Sequence, residues 1–229
     1  MKMLLTILAT LGVFHALPMA FTGTTAMAEE TQLEPVFESQ EHCVAYRTQK
    51  EMFFFFDADV IGKNCEVSAA VELSEDGSKA RIAVNAPVNK FDSGTSGRDE
   101  HTVEILKGDQ HPSLAFRTGW VPVAMLQKGL KENQLTLKGE LEVAGKVFPM
   151  VFPLRFSKGD AWTTIESEVR TTFAALEVEI PSVGPGGMIA DSVEKVEILV
   201  HLRSDRVEGL GKLMALSQNT AGTMIATHP

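Results

Sequence analysis

Apolar and polar residues alternate along most of the chain from about residue 65 onward. An alternation with a period of two places neighbouring side chains on opposite faces of a β-strand, whereas an amphipathic helix repeats its apolar positions about every 3.6 residues. In the clearest run, 134–143, leucine and valine occupy one face while lysine and glutamate occupy the other. The runs of this kind are 81–88, 114–118, 134–143, 147–156, 164–173 and 196–202. The pattern predicts a series of short strands.

Turn residues separate these runs, and the turn signals are 75–77, 131–133, 144–146 and 157–160. Of these, Ala144-Gly145-Lys146 is tight enough to force a hairpin. One or two strands from residues 35–73 raise the expected number of strands to about eight. Only 97–107 and the stretch after Glu208 have a helical pattern, and both are short. Many short antiparallel strands at regular spacing indicate a sandwich or a closed barrel.

The first residues have the composition of a secretory signal peptide. Lys2 precedes an apolar stretch, and Ala26-Met27-Ala28 has the form of a cleavage site, so we predict a signal peptide over 1–28. A membrane anchor is the alternative, but the apolar stretch is shorter than the roughly 20 residues that a span needs. We therefore expect a periplasmic or secreted mature protein without an integral membrane span. One domain is predicted over 35–206, followed by a weakly structured tail over 207–229.

Charge and cysteine content narrow the choice of partners. The formal net charge is -9, which argues against nucleic acid and against an anionic membrane surface, because both attract basic patches. Cys43 and Cys65 are the only two cysteines. An oxidising compartment favours a disulfide between them, and two buried free thiols are the alternative.

Motifs that support catalysis are absent from the sequence. Gly94-Thr95-Ser96-Gly97 lacks the G-x-S-x-G pattern of a hydrolase elbow, and no phosphate-binding glycine motif follows a strand. The histidines form no metal-binding spacing. We therefore predict no enzyme, no cofactor and no metal site. The run Phe53–Phe56 places two rings on each strand face, and either a buried structural role or a position at a cavity mouth would accommodate them.

Several motifs follow one another in a characteristic order. They are Arg98-Asp99-Glu100-His101, His111–Thr118 with its P-x-x-x-F pattern, Leu135-Thr136-Leu137-Lys138-Gly139, Val147-Phe148-Pro149 and the strand Asp191–Leu202. Over residues 36–204 the chain resembles the YceI-like family of exported, lipocalin-like proteins that bind polyisoprenoids. The phenylalanine run and Val60-Ile61-Gly62 stand where that family usually has H-L-G. The resemblance implies an all-β fold, namely an antiparallel lipocalin-like closed barrel of about eight strands with one short helix.

The inward-facing positions of such a barrel carry no charge. We predict that they contact a ligand, and they are Ile82, Val84, Leu135, Leu137, Leu141, Val143, Phe152, Leu154, Ile198 and Val200. Arg98 and His101 are expected to meet a polar or phosphorylated head group at the mouth. Alternatively, Asp99 satisfies backbone N–H groups near the start of a helix and Arg98 pairs with a carboxylate.

Three functions are compatible with these observations. The leading hypothesis is an exported binding protein that holds a long apolar isoprenoid-type lipid, either a polyisoprenoid or a quinone-like molecule, in the lumen. The second is a structural or stress-related cell-envelope protein whose barrel is filled, because filled and hollow barrels share the same alternation. The third is an uncharacterised hydrolase. The predicted partner is an isoprenoid-type lipid, with no nucleic acid, and a homodimer is left open.

Overall fold

The computed structural model describes residues 35–52, 56–183 and 190–215. The predicted signal peptide, Phe53–Phe55 and the last part of the predicted tail lie outside these residues. The described strands are β1 (Cys43–Met52), β2 (Phe56–Asn64), β3 (Ser68–Leu73), β4 (Lys79–Pro87), β5 (Ser113–Arg117), β6 (Val121–Pro122), β7 (Gln134–Val143), β8 (Lys146–Lys158), β9 (Thr163–Thr172), β10 (Ser182–Val183), β11 (Ala190–Arg203) and β12 (Val207–Glu208). The helices are α1 (Ser96–Ile105) and α2 (Val123–Glu132), and a last helical turn covers 210–215.

All twelve strands belong to one sheet. Ten of them follow one path in the order β12-β3-β4-β5-β7-β8-β9-β11-β1-β2, while β6 pairs with β4 and β10 pairs with β11. Every pairing is antiparallel except that of β12 with β3. Lys63, near the end of β2, exchanges two backbone hydrogen bonds of 2.9 Å with Asp92, which follows β4. The sheet therefore curls until one end of its path approaches the other.

The fold is mostly β and consistent with a lipocalin-like architecture, but the predicted closed barrel of about eight strands with one short helix needs correction. Within the described residues the sheet has twelve strands, and the strands at the ends of its path, β12 and β2, do not pair with each other. Three of the strands, β6, β10 and β12, have only two residues, which is too short for an alternating pattern to reveal them.

The predicted hairpin at Ala144–Lys146 is confirmed. Val143 pairs with Lys146, so Ala144 and Gly145 form a two-residue loop between β7 and β8. Both loop residues have positive φ, 49° and 78°, as a tight hairpin turn with the correct twist requires. This hairpin keeps the alternating pattern of β7 and β8 in register, so paired residues such as Leu137 and Phe152 face the same side.

Helix α2 is the second helix and was not predicted. Pro122 precedes it, Val123 and Leu126 are buried along it, and it ends at Asn133 with φ 57°. A proline before the first turn and an asparagine in the left-handed conformation after the last turn are ordinary helix boundaries. At Gly129 an added Cβ would lie 2.8 Å from Leu135 Cβ, so the glycine allows α2 to pack closely against β7.

The segment after β11 is also packed, contrary to the expectation of a weakly structured tail from residue 207. Val207, Leu210 and Leu213 are 8%, 7% and 1% exposed and belong to the hydrophobic core. Between them, Gly209 has φ 75°, and an added Cβ would collide with the carbonyl oxygen of Val71. Residues 207–215 therefore dock onto β3, and only residues 216–229 of the predicted tail lie outside the described part.

The predicted disulfide between Cys43 and Cys65 is confirmed, and it joins the start of β1 to the residue after β2. Next to it, the outer face of β11 is covered. His201 lies on the face of β11 opposite Ile198 and Val200, and it is 5% exposed because the ring of Phe37 stacks on it with the ring centroids 5.4 Å apart. His42 is also buried and its Nδ1 accepts a hydrogen bond of 3.1 Å from the backbone N–H of Arg203. Burial, together with the positive charge of Arg206, lowers the pKa of His42.

Candidate ligand-binding cavity

The concave side of the sheet encloses a cavity of about 920 Å³. Its walls consist mainly of apolar side chains, because the period-two patterns of β4, β7, β8 and β11 send every second residue inward. The structure places all of the predicted inward-facing residues on this lining, namely Ile82, Val84, Leu135, Leu137, Leu141, Val143, Phe152, Leu154, Ile198 and Val200. That they contact a ligand stays a prediction.

The cavity runs between two packed clusters of the core. One cluster includes Leu137 and Leu213, the other includes Leu141 and Leu176, and Val84, like Leu154 and Val200, packs against both. From Leu135 to Val143, β7 advances roughly 27 Å at about 3.4 Å per residue. With the strand tilt usual in barrels this corresponds to about 20 Å along the axis. An extended chain could therefore lie along about 20 Å of this wall.

One end of the cavity, which we call the mouth, is formed by residues 95–109 on α1 and its flanking loops. Among the described residues, every charged side chain that lines the cavity comes from this segment, and these side chains are Arg98, Glu100, His101, Glu104 and Asp109. Glu100, Glu104 and Asp109 are exposed to solvent. The mouth is therefore the polar, water-facing end of an otherwise apolar cavity.

Arg98 and His101, the two predicted head-group contacts, both line the mouth. The guanidinium of Arg98 donates a hydrogen bond of 3.4 Å to the carbonyl oxygen of Ser93, and no ion pair of Arg98 is found within the described residues. The Nδ1 atom of His101 lies 3.2 Å from Glu104 Oε2, and the side chain is 39% exposed. The alternative pairing of Arg98 with a carboxylate is thus not observed in this part of the chain.

Asp99 holds the loop before α1. Its Oδ1 atom accepts hydrogen bonds from the backbone N–H of Ser93 at 2.9 Å and from the Ser93 hydroxyl at 2.6 Å. It therefore satisfies a backbone N–H, as the alternative interpretation expected, but this group belongs to the preceding loop and not to the first turn of α1.

Tyr46 connects β1 to the mouth and was missed by the sequence analysis. Its hydroxyl lies 3.1 Å from Thr102 Oγ1, and the Thr102 hydroxyl donates a 2.9 Å hydrogen bond to the carbonyl oxygen of Arg98. Since Thr102 has one hydroxyl proton, Tyr46 is the donor of the first bond. Burial raises the pKa of Tyr46. The Tyr46 ring covers Gly62, and a Cβ added at Gly62 would collide with that ring. A glycine facing the chain's single tyrosine was the sequence signal that could have revealed this contact.

The opposite end, which we call the floor, closes the cavity. It consists of Leu126 and Leu130 on α2 together with Val207, Leu210 and Leu213. None of these side chains is exposed and none is polar. The sequence analysis missed the floor, although the apolar spacing of Val207, Leu210 and Leu213 indicated a helical turn with one buried face.

A single curled antiparallel sheet with an internal apolar cavity and one polar mouth defines a β-fold of the kind that accommodates small apolar ligands. Residues 38–202 match the family model of the YceI-like domain, and the chain belongs to the YceI-like family. No curated protein sequence matches the chain. Within the described residues, no helix is both long and apolar enough to cross a bilayer.

Several solved structures are similar. BcnA of Burkholderia cenocepacia is 17% identical, with 70% of this chain and 95% of that chain covered, at a TM-score of 0.51. A polyisoprenoid binding domain from Saccharophagus degradans, implicated in plant cell wall breakdown, is 8% identical, with 70% and 92% covered, at 0.48. The YCEI protein of Campylobacter jejuni is 13% identical, with 64% and 85% covered, at 0.44. The likeness to BcnA supports the fold.

Proposed function

We propose that this protein is an exported binding protein that holds a long apolar isoprenoid-type lipid, a polyisoprenoid or a quinone-like molecule, in its cavity. The observation that carries the proposal is the cavity of about 920 Å³, whose lining is mainly apolar and whose charged side chains, among the described residues, all lie at the mouth. An apolar cavity gains little from water, because water needs polar partners there, whereas a hydrocarbon chain gains contacts along the whole wall.

The two ends of such a lipid match the two ends of the cavity. The hydrocarbon tail would lie between Val84, Leu154 and Val200, which pack against both core clusters. The head group would lie at the mouth beside Arg98 and His101. Glu100, Glu104 and Asp109 line the same mouth, so acidic groups outnumber the arginine, and this favours an uncharged head group over a phosphate.

Two further observations support binding in an exported protein. The disulfide between Cys43 and Cys65 is the kind of bond that persists in oxidising compartments, which supports a periplasmic or secreted location. The filled-barrel alternative predicts side chains in the space that the cavity occupies, so the cavity volume favours the carrier. We propose binding alone, with no catalytic residue and no cofactor.

Native mass spectrometry of freshly purified protein, followed by solvent extraction, tests this proposal. Val84→Trp places an indole in the middle of the cavity, and we expect the folded variant to lose most of the co-purifying lipid. Val151→Trp is the matched control, since Val151 is 48% exposed on the outer face of β8. Equal lipid content in the two folded variants, or no lipid in the unmodified protein, would count against a lipid carrier.

A further inference from the structure

The floor is built partly by a segment that follows the matched YceI-like region. The match ends at residue 202, whereas Val207, Leu210 and Leu213 come after it. Val207 pairs with Ala69 of β3 in parallel, and the turn at Gly209 then directs the helical turn 210–215 back against the core. Residues 207–215 therefore contribute to the floor of the cavity from outside the region that matches the family.

The segment closes the cavity in a rigid way. Leu210 and Leu213 line the cavity, and they pack with Leu126 of α2 and with Leu137 and Leu202 of the sheet in one buried cluster. Leu213, at 1% exposure, is among the most completely buried large side chains of the described residues. Close-packed interiors of this kind do not yield easily to an inserted atom. The depth of the cavity below the mouth is therefore set by these side chains.

We infer that Leu210 and Leu213 determine the chain length of the bound lipid by fixing the depth of the cavity. The inference rests on the proposed function and adds a specificity determinant to it. With the head group held at the mouth, a tail that exceeds the depth must displace packed side chains, and a shorter tail leaves wall uncovered. An apolar pocket of fixed size distinguishes ligands that differ by one methylene group by roughly tenfold or more.

The test uses the full chain and an equimolar mixture of farnesol, geranylgeraniol and solanesol, isoprenoid alcohols of increasing length with the same uncharged head. Native mass spectrometry measures which alcohols the protein retains. Leu210→Ala deepens the floor, and we expect the ratio of longer to shorter retained alcohols to rise by about tenfold. Ala69→Leu fills the floor from β3, where Ala69 is buried and lines the cavity, and should shift the ratio in the opposite direction.

Leu176→Ala is the matched control. Leu176 and Leu210 are both 7% exposed and both line the cavity, but Leu176 belongs to the cluster at the mouth end. This variant should retain the length preference of the unmodified protein even if total retention falls. The same length shift in Leu176→Ala as in Leu210→Ala would overturn the inference, because general loosening would then explain it.

The remaining outcomes separate the inference from the proposed function. If the unmodified protein retains the alcohols but the length ratio is unchanged in folded Leu210→Ala and Ala69→Leu, the role of the floor is overturned. The carrier function then still stands. If Leu210→Ala does not fold, Ala69→Leu decides alone. Retention of none of the alcohols by the unmodified protein overturns both.

Discussion

The mouth and the floor of the cavity close its two ends by different physical means. At the mouth, α1 is held by polar contacts, namely the hydrogen bond between Tyr46 and Thr102 and the bonds from Ser93 to Asp99. At the floor, Val207, Leu210 and Leu213 are held by burial among other apolar side chains. The mouth contains charged and exposed residues, while the floor contains none.

This difference decides which end can open at low cost. A single hydrogen bond contributes a net of about 0.5–1.5 kcal/mol, because the unfolded chain makes the same bonds to water. Burying one leucine or valine contributes about 1.5–3 kcal/mol, and water offers no replacement. The mouth can therefore separate locally from the sheet, whereas opening the floor requires part of the core to unfold. A ligand is expected to enter at α1.

Removing the floor segment should have the largest effect. A chain that ends at Arg206 loses the buried side chains of Val207, Leu210 and Leu213, and we expect about 5–8 kcal/mol less stability than in a chain that ends at Ala215. This loss is comparable to the whole stability of many domains, so the shorter chain should be largely unfolded or molten. Urea unfolding measures the difference. Closely similar midpoints for the two chains would show that burial at the floor stabilises little.

At the mouth, a single change should have a smaller effect. Asp99→Ala leaves the Ser93 N–H without its acceptor, and we expect a loss of about 1–3 kcal/mol together with faster amide hydrogen exchange in residues 93–105. Glu100→Ala is the matched control, because the neighbouring Glu100 side chain is exposed and makes no hydrogen bond described for this part of the chain. If both variants exchange at the same rate, Asp99 does not hold the mouth.

The pH dependence of stability should come from His42 on the outer face of the sheet and not from either end of the cavity. The pKa of His42 is lowered below 6.5 in the folded protein, so the unfolded chain binds a proton more readily. The stability linked to His42 is fully present above about pH 6.5 and is lost as the pH falls toward the lower folded-state pKa. Between pH 7.5 and 5, we expect a decrease of at most about 1.4 kcal/mol per pH unit.

The control for this pH dependence is His42→Asn. Asparagine offers an oxygen that can accept the hydrogen bond from the Arg203 N–H but does not titrate. Urea unfolding at several pH values should show a flatter dependence in the variant than in the unmodified protein. Parallel curves for the two proteins would assign the pH dependence to other groups.

The sequence by itself determined which residues face inward. In β7, Leu135, Leu137 and Leu141 alternate with polar residues, and all three line the cavity, because a strand pattern has only two faces and one of them must be buried. The turn residues Ala144-Gly145-Lys146 located the β7–β8 hairpin. The cysteine count together with the predicted export favoured the disulfide over two free thiols, and the order of the motifs pointed to the family.

The tertiary structure decided how the cavity is closed. The two-residue strand β12 is too short to have a detectable period, and the helical spacing of the turn 210–215 does not reveal what the turn packs against. Both are stable only because β3 and α2 are already in place beside them. Likewise, the pairing of Tyr46 with Thr102 joins residues that are 56 positions apart, and the burial of His201 depends on Phe37 stacking over an outer face. Alternation specifies the wall of the cavity, since the wall follows from local geometry; its depth and its mouth follow from contacts between distant segments, which only the folded chain brings together.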